Sequence, residues 1–212
     1  MKNPFDFFQG IYCINLDHRT DRWEHACGEF AKLGILDRVT RFPAIAAEDG
    51  RVGVIKSHLG IIKAATDKKL ENVLVFEDDV KFVGEDPKNV LDKALDQIGD
   101  IEYFLLYLGA NIHGRLEKVR KNLLLAKVAY GAHAICYHER VYELFVKFFD
   151  GMDRIARRED ILDVCLSETF QAKHVCFLLN PMIATQISSY SDIEKKFVDQ
   201  GYIEERFKTH TE

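Results

Sequence analysis

The chain has 212 residues, 47% hydrophobic and 30% charged, with a formal net charge of −5. That length supports one sizeable core in a single domain. The acidic balance argues against nucleic acid held by bulk electrostatics, and no apolar run approaches the length of a membrane span.

Gly10 to Leu16, GIYCINL, is short, apolar and β-rich, the pattern of a buried strand. In the following DHRTDRWEHACGEFAKLGI, the residues Trp23, Ala26, Cys27, Phe30 and Leu33 recur at helical spacing. Asp21 and Glu24 have the spacing of a capping box, and Gly34 is the expected stop. Arg38 to Ile45 reads as a second strand, completing a βαβ start. A helix is expected over Ile55 to Leu70, a strand over VLVFEDD (Val73 to Asp79), a helix over Pro87 to Ile98 and a strand over Tyr103 to Leu108. Leu123 to Glu139 mixes strands around a turn at Gly131. Helical spacing returns in Val141 to Phe149 and in Asp160 to Phe170, and VCFLLNP is a late strand or buried loop. The charged tail after Asp192 is expected to end loosely. No repeat or low-complexity linker divides the chain, so the expected class is α/β, one domain with a mostly parallel sheet. In such sheets ligands bind beyond the carboxyl ends of the strands.

The five cysteines form no C-x-x-C pair and are odd in number, which disfavours structural zinc and a disulfide framework. Reduced, mostly buried thiols and the missing h-region in MKNPFDFFQG point to a soluble, cytoplasmic protein.

VLVFEDDVKF runs an apolar strand into three carboxylates, Glu77, Asp78 and Asp79. Close carboxylates resist ionising together, so a cation belongs beside them or water must surround them. Glu77 and Asp79, two apart, face the same side of an extended chain, and an oxygen-only set suits Mg²⁺ or Mn²⁺. A phosphatase-like D-x-D pattern also ends a strand in acids, but Glu77 is a poor substitute for a nucleophilic aspartate. Arg19 and Arg22 lie where the first strand yields to the first helix, a place suited to an anion or to ordinary surface arginines. The chain has neither G-x-G-x-x-G after that strand nor G-x-x-x-x-G-K-[ST], which disfavours a Rossmann dehydrogenase and a P-loop NTPase. Ser57 and His58 fall near a helix start, where His58 either contacts a ligand or is a satisfied, half-buried residue.

Taken in order, YCINLDHRTDRW, RFPAI, GVIKSHLGIIKAA, VLVFEDDVKF, YGAHAICYHERVYEL, DVCL and QISSYSDIEKK resemble glycosyltransferase family 25, the lipopolysaccharide-biosynthesis and collagen-galactosyltransferase type. The resemblance spans nearly the whole chain. It implies a GT-A-like single domain with a donor-binding part over about 10–110 and an acceptor-side part over about 120–195. It implies transfer of galactose or glucose from a UDP-hexose to a hydroxyl of a glycan or protein acceptor, with inversion. By the same resemblance, Asp79 and Glu77 hold a divalent cation, Mn²⁺ or Mg²⁺. Asn15, Leu16, Asp17, Arg19, Arg22, Ser57, His58, Glu77 and Asp78 contact the donor, and Ser191 and Asp192 close the site. Inversion needs a base; Asp163 in D-x-x-L is preferred, and Asp160 shares its face if the segment is helical. Either acid can instead pair with Arg157 or Arg158. Val54 and the short chain depart from the family pattern and leave the acceptor least defined. The competing readings are a catalytically idle nucleotide-sugar-binding module and a phosphatase-like hydrolase.

Overall fold

The computed structural model describes residues 3–211. Strand β1 (Gly10–Asn15) leads through helix α1 (Thr20–Leu33) to β2 (Val39–Pro43), then α2 (Gly50–Asp67) returns to β3 (Asn72–Glu77). After the short β4 (Val80–Phe82) come α3 (Pro87–Ile98), β5 (Leu105–Tyr107), β6 (Asn111–Ile112), β7 (Glu117–Arg120), β8 (Leu123–Leu125), β9 (Ala129–Tyr130) and β10 (Ala134–His138). The chain closes with α4 (Glu139–Phe149), α5 (Leu162–Cys165), β11 (Cys176–Leu179), β12 (Ala184–Gln186), the β13–β14 hairpin (Ser189–Ser191, Lys196–Val198) and α6 (Tyr202–Thr211).

The central sheet has eight strands in the order β2-β1-β3-β10-β5-β11-β8-β7. Strands β1, β2, β3, β5, β7 and β11 run one way, and β8 and β10 run against them. The fold is α/β with a mostly parallel sheet, as the strand–helix alternation implies.

The sheet is buried on both faces, and alternation along β3 assigns each residue to one of them. Val73 and Val75 join Tyr107, Tyr137 and the apolar side of α2 and α4. Leu74 and Phe76 join Ala26, Phe30 and Leu33 of α1 and Leu91, Ala94 and Ile98 of α3. Strands β1 and β2 pair in parallel with Asn15 opposite Pro43, and β1 and β3 with Ile14 opposite Glu77. Three carboxyl ends therefore meet at one edge of the sheet.

Helix α1 stops at Gly34, which takes the left-handed conformation at φ 65°. Its start departs from the expected capping box. Arg19 is the N-cap residue and makes no side-chain cap bond, because the helix begins one turn position early and Asp21 pairs with Arg19 instead. Helix α2 begins at Gly50, five residues before the expected Ile55, and Asp49 caps it by accepting from Arg51 N at 3.0 Å. The segment over 160–170 is not one helix. Arg158–Asp160 forms a 3-10 turn, Ile161 is extended, and α5 is followed by a π turn over Leu166–Phe170. Helix α6 carries the tail to Thr211 and buries Ile203 and Phe207, and the expected loose end at Glu212 lies outside the described residues. The five thiols are free, and all but Cys27 are buried. Among the described residues no helix is long and apolar enough to cross a membrane.

Gly109 lies where the chain leaving β5 crosses β12, and a Cβ there would stand 1.7 Å from the Ala184 carbonyl oxygen. Gly109→Ala should therefore lower the unfolding free energy by at least about 2 kcal/mol. Gly28 lies within α1, where a Cβ meets nothing within 4 Å, so Gly28→Ala should raise it by about 0.5–1 kcal/mol. Urea denaturation of both variants checks the pair of opposite signs.

Candidate active site

The carboxyl edge of β1, β2 and β3 opens into a cavity of about 990 Å³. Its walls come from the β2–α2 connection (Ala44 to Asp49), the first turns of α2, the acidic end of β3 and the residues after β12. The β13–β14 hairpin roofs it with Ser189, Ser191, Asp192 and Val198. The volume lies at the upper end of the usual range for ligand sites.

The three acids divide between the faces of the sheet. Glu77 continues the Val73–Val75 side, while Asp78 turns toward α1. Asp78 has a donor on each oxygen: Oδ2 accepts from Asn15 Nδ2 at 2.6 Å and Oδ1 from Arg22 Nη1 at 3.0 Å. Arg22 Nη1 also lies 3.5 Å from Asp79 Oδ2. The cation that the sequence demands beside these carboxylates is thus, in part, Arg22. Its Nη2 donates to Ser189 Oγ at 2.7 Å and to the Tyr190 carbonyl at 2.9 Å, tying the roof to the acids.

Glu77 and Asp79 are the pair left less engaged. Gln186 Nε2 lies 3.3 Å from Glu77 Oε2 and 3.2 Å from Asp79 Oδ1, so one donor marks where the two carboxylates converge. Burial pushes the Glu77 carboxyl up to about 8, and Asp79, Asp78 and Asp163 add to the rise. Burial also raises Asp79, against the pull of Arg22, and raises Asp78 against the Asn15 hydrogen bond.

Two converging carboxylates match the chemistry of a Mg²⁺ or Mn²⁺ site, which takes its other ligands from water and phosphate. Among the described residues no group of three or more His, Cys, Asp or Glu side chains is arranged to hold a metal. An all-protein cage is therefore absent among them, and the pair fits only a cation that shares its coordination with a ligand.

Leu16, Arg22, Ser57, His58, Glu77, Asp78, Asp79, Ser191 and Asp192 all line the cavity. Several have tasks other than those expected. Asn15 is buried behind Asp78, and Asp17 is exposed and pairs with Arg41 at 3.2 Å. Arg19 pairs with Asp21 and Asp192, holding the roof rather than facing the cavity. Ser57 Oγ accepts from Ile45 N and donates to the Gly53 carbonyl, both at 2.8 Å, fixing the β2–α2 connection. Ser191 Oγ accepts from Glu194 N inside the hairpin. His58 Nδ1 lies 2.9 Å from Tyr137 Oη, Nε2 has no partner, and burial pulls the imidazole down to about 3.

Neither candidate base lines the cavity. Asp160 accepts from the N–H groups of Ala156 and Arg157 and from the Arg157 guanidinium, which hold it below the usual carboxylate range. It caps a local turn, and the extended Ile161 separates it from the helix carrying Asp163. Asp163 is half-buried, accepts from Val164 N at 2.8 Å, and is raised by burial. Gln186 and Arg41 carry clear roles at the cluster. Their only sequence signal is their place in QISSYSDIEKK and RFPAI.

No protein-family model and no curated protein matches the chain. Three solved structures are similar in chain path. A glycosyltransferase involved in the glycosylation of the major capsid of PBCV-1 is 14% identical with a TM-score of 0.42, over 66% of this chain and 64% of that one. A197 from STIV is 13% identical with a TM-score of 0.46, over 92% and 95%. The mannose-1-phosphate geranyltransferase from Thermus thermophilus is 11% identical with a TM-score of 0.45, over 80% and 72%. The resemblance to family 25 rests on the ordered motifs.

The raised and lowered groups pull stability in opposite directions with pH. Unfolded His58 takes up a proton below about pH 6.5, whereas folded His58 does so only near 3. Stability therefore falls as pH drops through that window, by up to about 1.4 kcal/mol per unit. Glu77 acts oppositely: its folded carboxyl holds a proton up to about 8, so stability falls as pH rises from 4.5 toward 8. Urea titrations across pH should show His58→Gln gaining on wild type only below about pH 6.5. Glu77→Gln should gain only above about pH 4.5. Differences independent of pH would contradict the buried, neutral states assigned to both groups.

Proposed function

We propose that this chain is a metal-dependent glycosyltransferase of the GT-A type that transfers a hexose, galactose or glucose, from a UDP-sugar to a hydroxyl of a glycan or protein acceptor, with inversion. The observation that carries the reading is the convergence of Glu77 and Asp79 at the carboxyl edge of parallel strands, inside a cavity roofed by the β13–β14 hairpin. Strand ends of this kind are where α/β sheets bind their ligands. Under this reading the donor lies over residues of about 10–110 and the acceptor side comes from about 120–195.

Glu77 and Asp79 would hold Mn²⁺ or Mg²⁺, and the cation would supply positive charge where negative charge develops on the departing diphosphate. Arg22 sits beside them and adds a guanidinium donor on the same side. Ser191 and Asp192 in the roof would close the site over the donor. Asp163 is the group assigned to take the proton of the acceptor hydroxyl, and its burial favours the proton-accepting task by raising its basicity. Glu77, a glutamate whose carboxyl burial raises, is a poor candidate for a phosphatase nucleophile, which disfavours the hydrolase reading.

Thermal unfolding against nucleotides and nucleotide sugars, with and without Mn²⁺, tests this reading. A UDP-hexose at a hundred times its dissociation constant should add about 2.7 kcal/mol, a rise of roughly 5–10 °C, and only with the metal present. Asp79→Asn should keep its fold, lose the metal-dependent rise and lose donor turnover. No rise with any nucleotide in the presence of Mn²⁺ would exclude the donor site.

A further inference from the structure

Side chains from three neighbouring strands are linked by one chain of hydrogen bonds. Arg41, in the middle of β2, donates from Nε and Nη2 to Asn15 Oδ1 at 2.9 and 2.6 Å. That fork leaves the Asn15 amide one orientation, with Nδ2 turned to Asp78 Oδ2 at 2.6 Å and to the Arg19 carbonyl at 3.0 Å. Asn15 is 1% exposed, and its bond to Asp78 is buried, while Arg41 reaches it from the partly exposed side. Arg41 is held from outside by the Trp23 ring, 5.5 Å away, and by exposed Asp17. Asp78 is fixed by Asn15 on one oxygen and by Arg22 on the other, so both of its oxygens already have a donor.

We propose that Arg41 is a positioning residue for the cation site: it orients Asn15, Asn15 occupies Asp78, and Glu77 and Asp79 are thereby left as the open pair. The inference rests on the reading of that pair as a divalent-cation site and assigns a task to a residue that touches neither cation nor donor. Hydrogen-bond partners behind metal ligands commonly control affinity by ten- to a hundredfold. Arg41→Met removes both bonds to Asn15, leaving its buried carbonyl without a partner and the amide less firmly held against Asp78. Asp78 and, through the Arg22 they share, Asp79 then lose their fixed positions, and the open pair is less well arranged for a cation.

Calorimetric titration of Mn²⁺ into the full chain is the test, because it reads the site without turnover. Arg41→Met and Asn15→Leu should each weaken Mn²⁺ binding about tenfold, and the double variant should be no weaker than either. Trp23→Leu removes the ring beneath Arg41 but not its bonds to Asn15, and should bind Mn²⁺ as wild type does. Arg41→Lys keeps the charge without the fork and should fall between; with Asn15→Ser it carries the test should Arg41→Met not fold. Wild-type affinity in Arg41→Met, or losses that add in the double variant, would overturn the proposal alone. A wild-type chain that binds no Mn²⁺ would overturn the cation reading and this inference together.

Discussion

Arg22 is the interaction on which this end of the molecule depends. Three consecutive carboxylates at the end of a buried strand repel one another and lose hydration. One guanidinium, 3.0 Å from Asp78 and 3.5 Å from Asp79, offsets part of both costs. Its planar fork then has a second nitrogen to spend on the roof hairpin through Ser189 and Tyr190. An ammonium in its place would meet the charge but not both geometries. The same group thus sets the local electrostatics and the shape of the cavity.

The compensation is incomplete, and the shortfall is informative. Glu77 and Asp79 remain raised even with Arg22 beside Asp79. Among the described residues the donor they share is the Gln186 amide, which is neutral and cannot stand in for a counter-charge. A structural acid cluster would be expected to carry its own counter-ions, as Asp160 does with Arg157 and Asp192 does with Arg19. At Glu77 and Asp79 the chain has spent side chains on convergence rather than on neutralisation. That is the pattern of carboxyls whose ionised form lacks a full counter-charge until a cationic ligand supplies one.

Much of this was legible from residue order. Continuous apolar, β-rich runs in GIYCINL and VLVFEDD gave β1 and β3, because a sheet covered on both faces leaves that trace, and helical spacing gave α1, α3 and α4. The acidic strand end pointed to the cavity edge because ligands bind beyond the carboxyl ends of such strands. The start of α2 was hidden because two glycines and a charged cap precede its first apolar turn. The break at Ile161 was hidden because the 160–170 spacing is helical throughout, while the Asp160 cap closes a turn just before it. Arg19 and Asp160 look alike in sequence to ligand-binding groups, since only the fold shows that each has a charged partner already. Gln186 gave no chemical signal, for an amide between apolar and polar neighbours is unremarkable until two carboxylates meet it.

The roof is held in an unusual way for so small an element. Its hairpin exposes Tyr190 at 49% and Phe197 at 66%, a directly opposed pair on the face turned from the cavity. Apolar packing therefore contributes little to its attachment on that face. What fastens it is charge: Arg19 to Asp192, and Arg22 to Ser189 and the Tyr190 carbonyl. Arg22 is also the counter-ion of the acids below, so the two functions draw on one side chain. Such shared bonds are coupled rather than additive. A change of charge at Asp78 or Asp79 alters the field on Arg22 and, through its second nitrogen, the anchoring of the roof. The floor and the roof of the cavity are in that sense one electrostatic unit, built from the first turn of α1 and the end of β3.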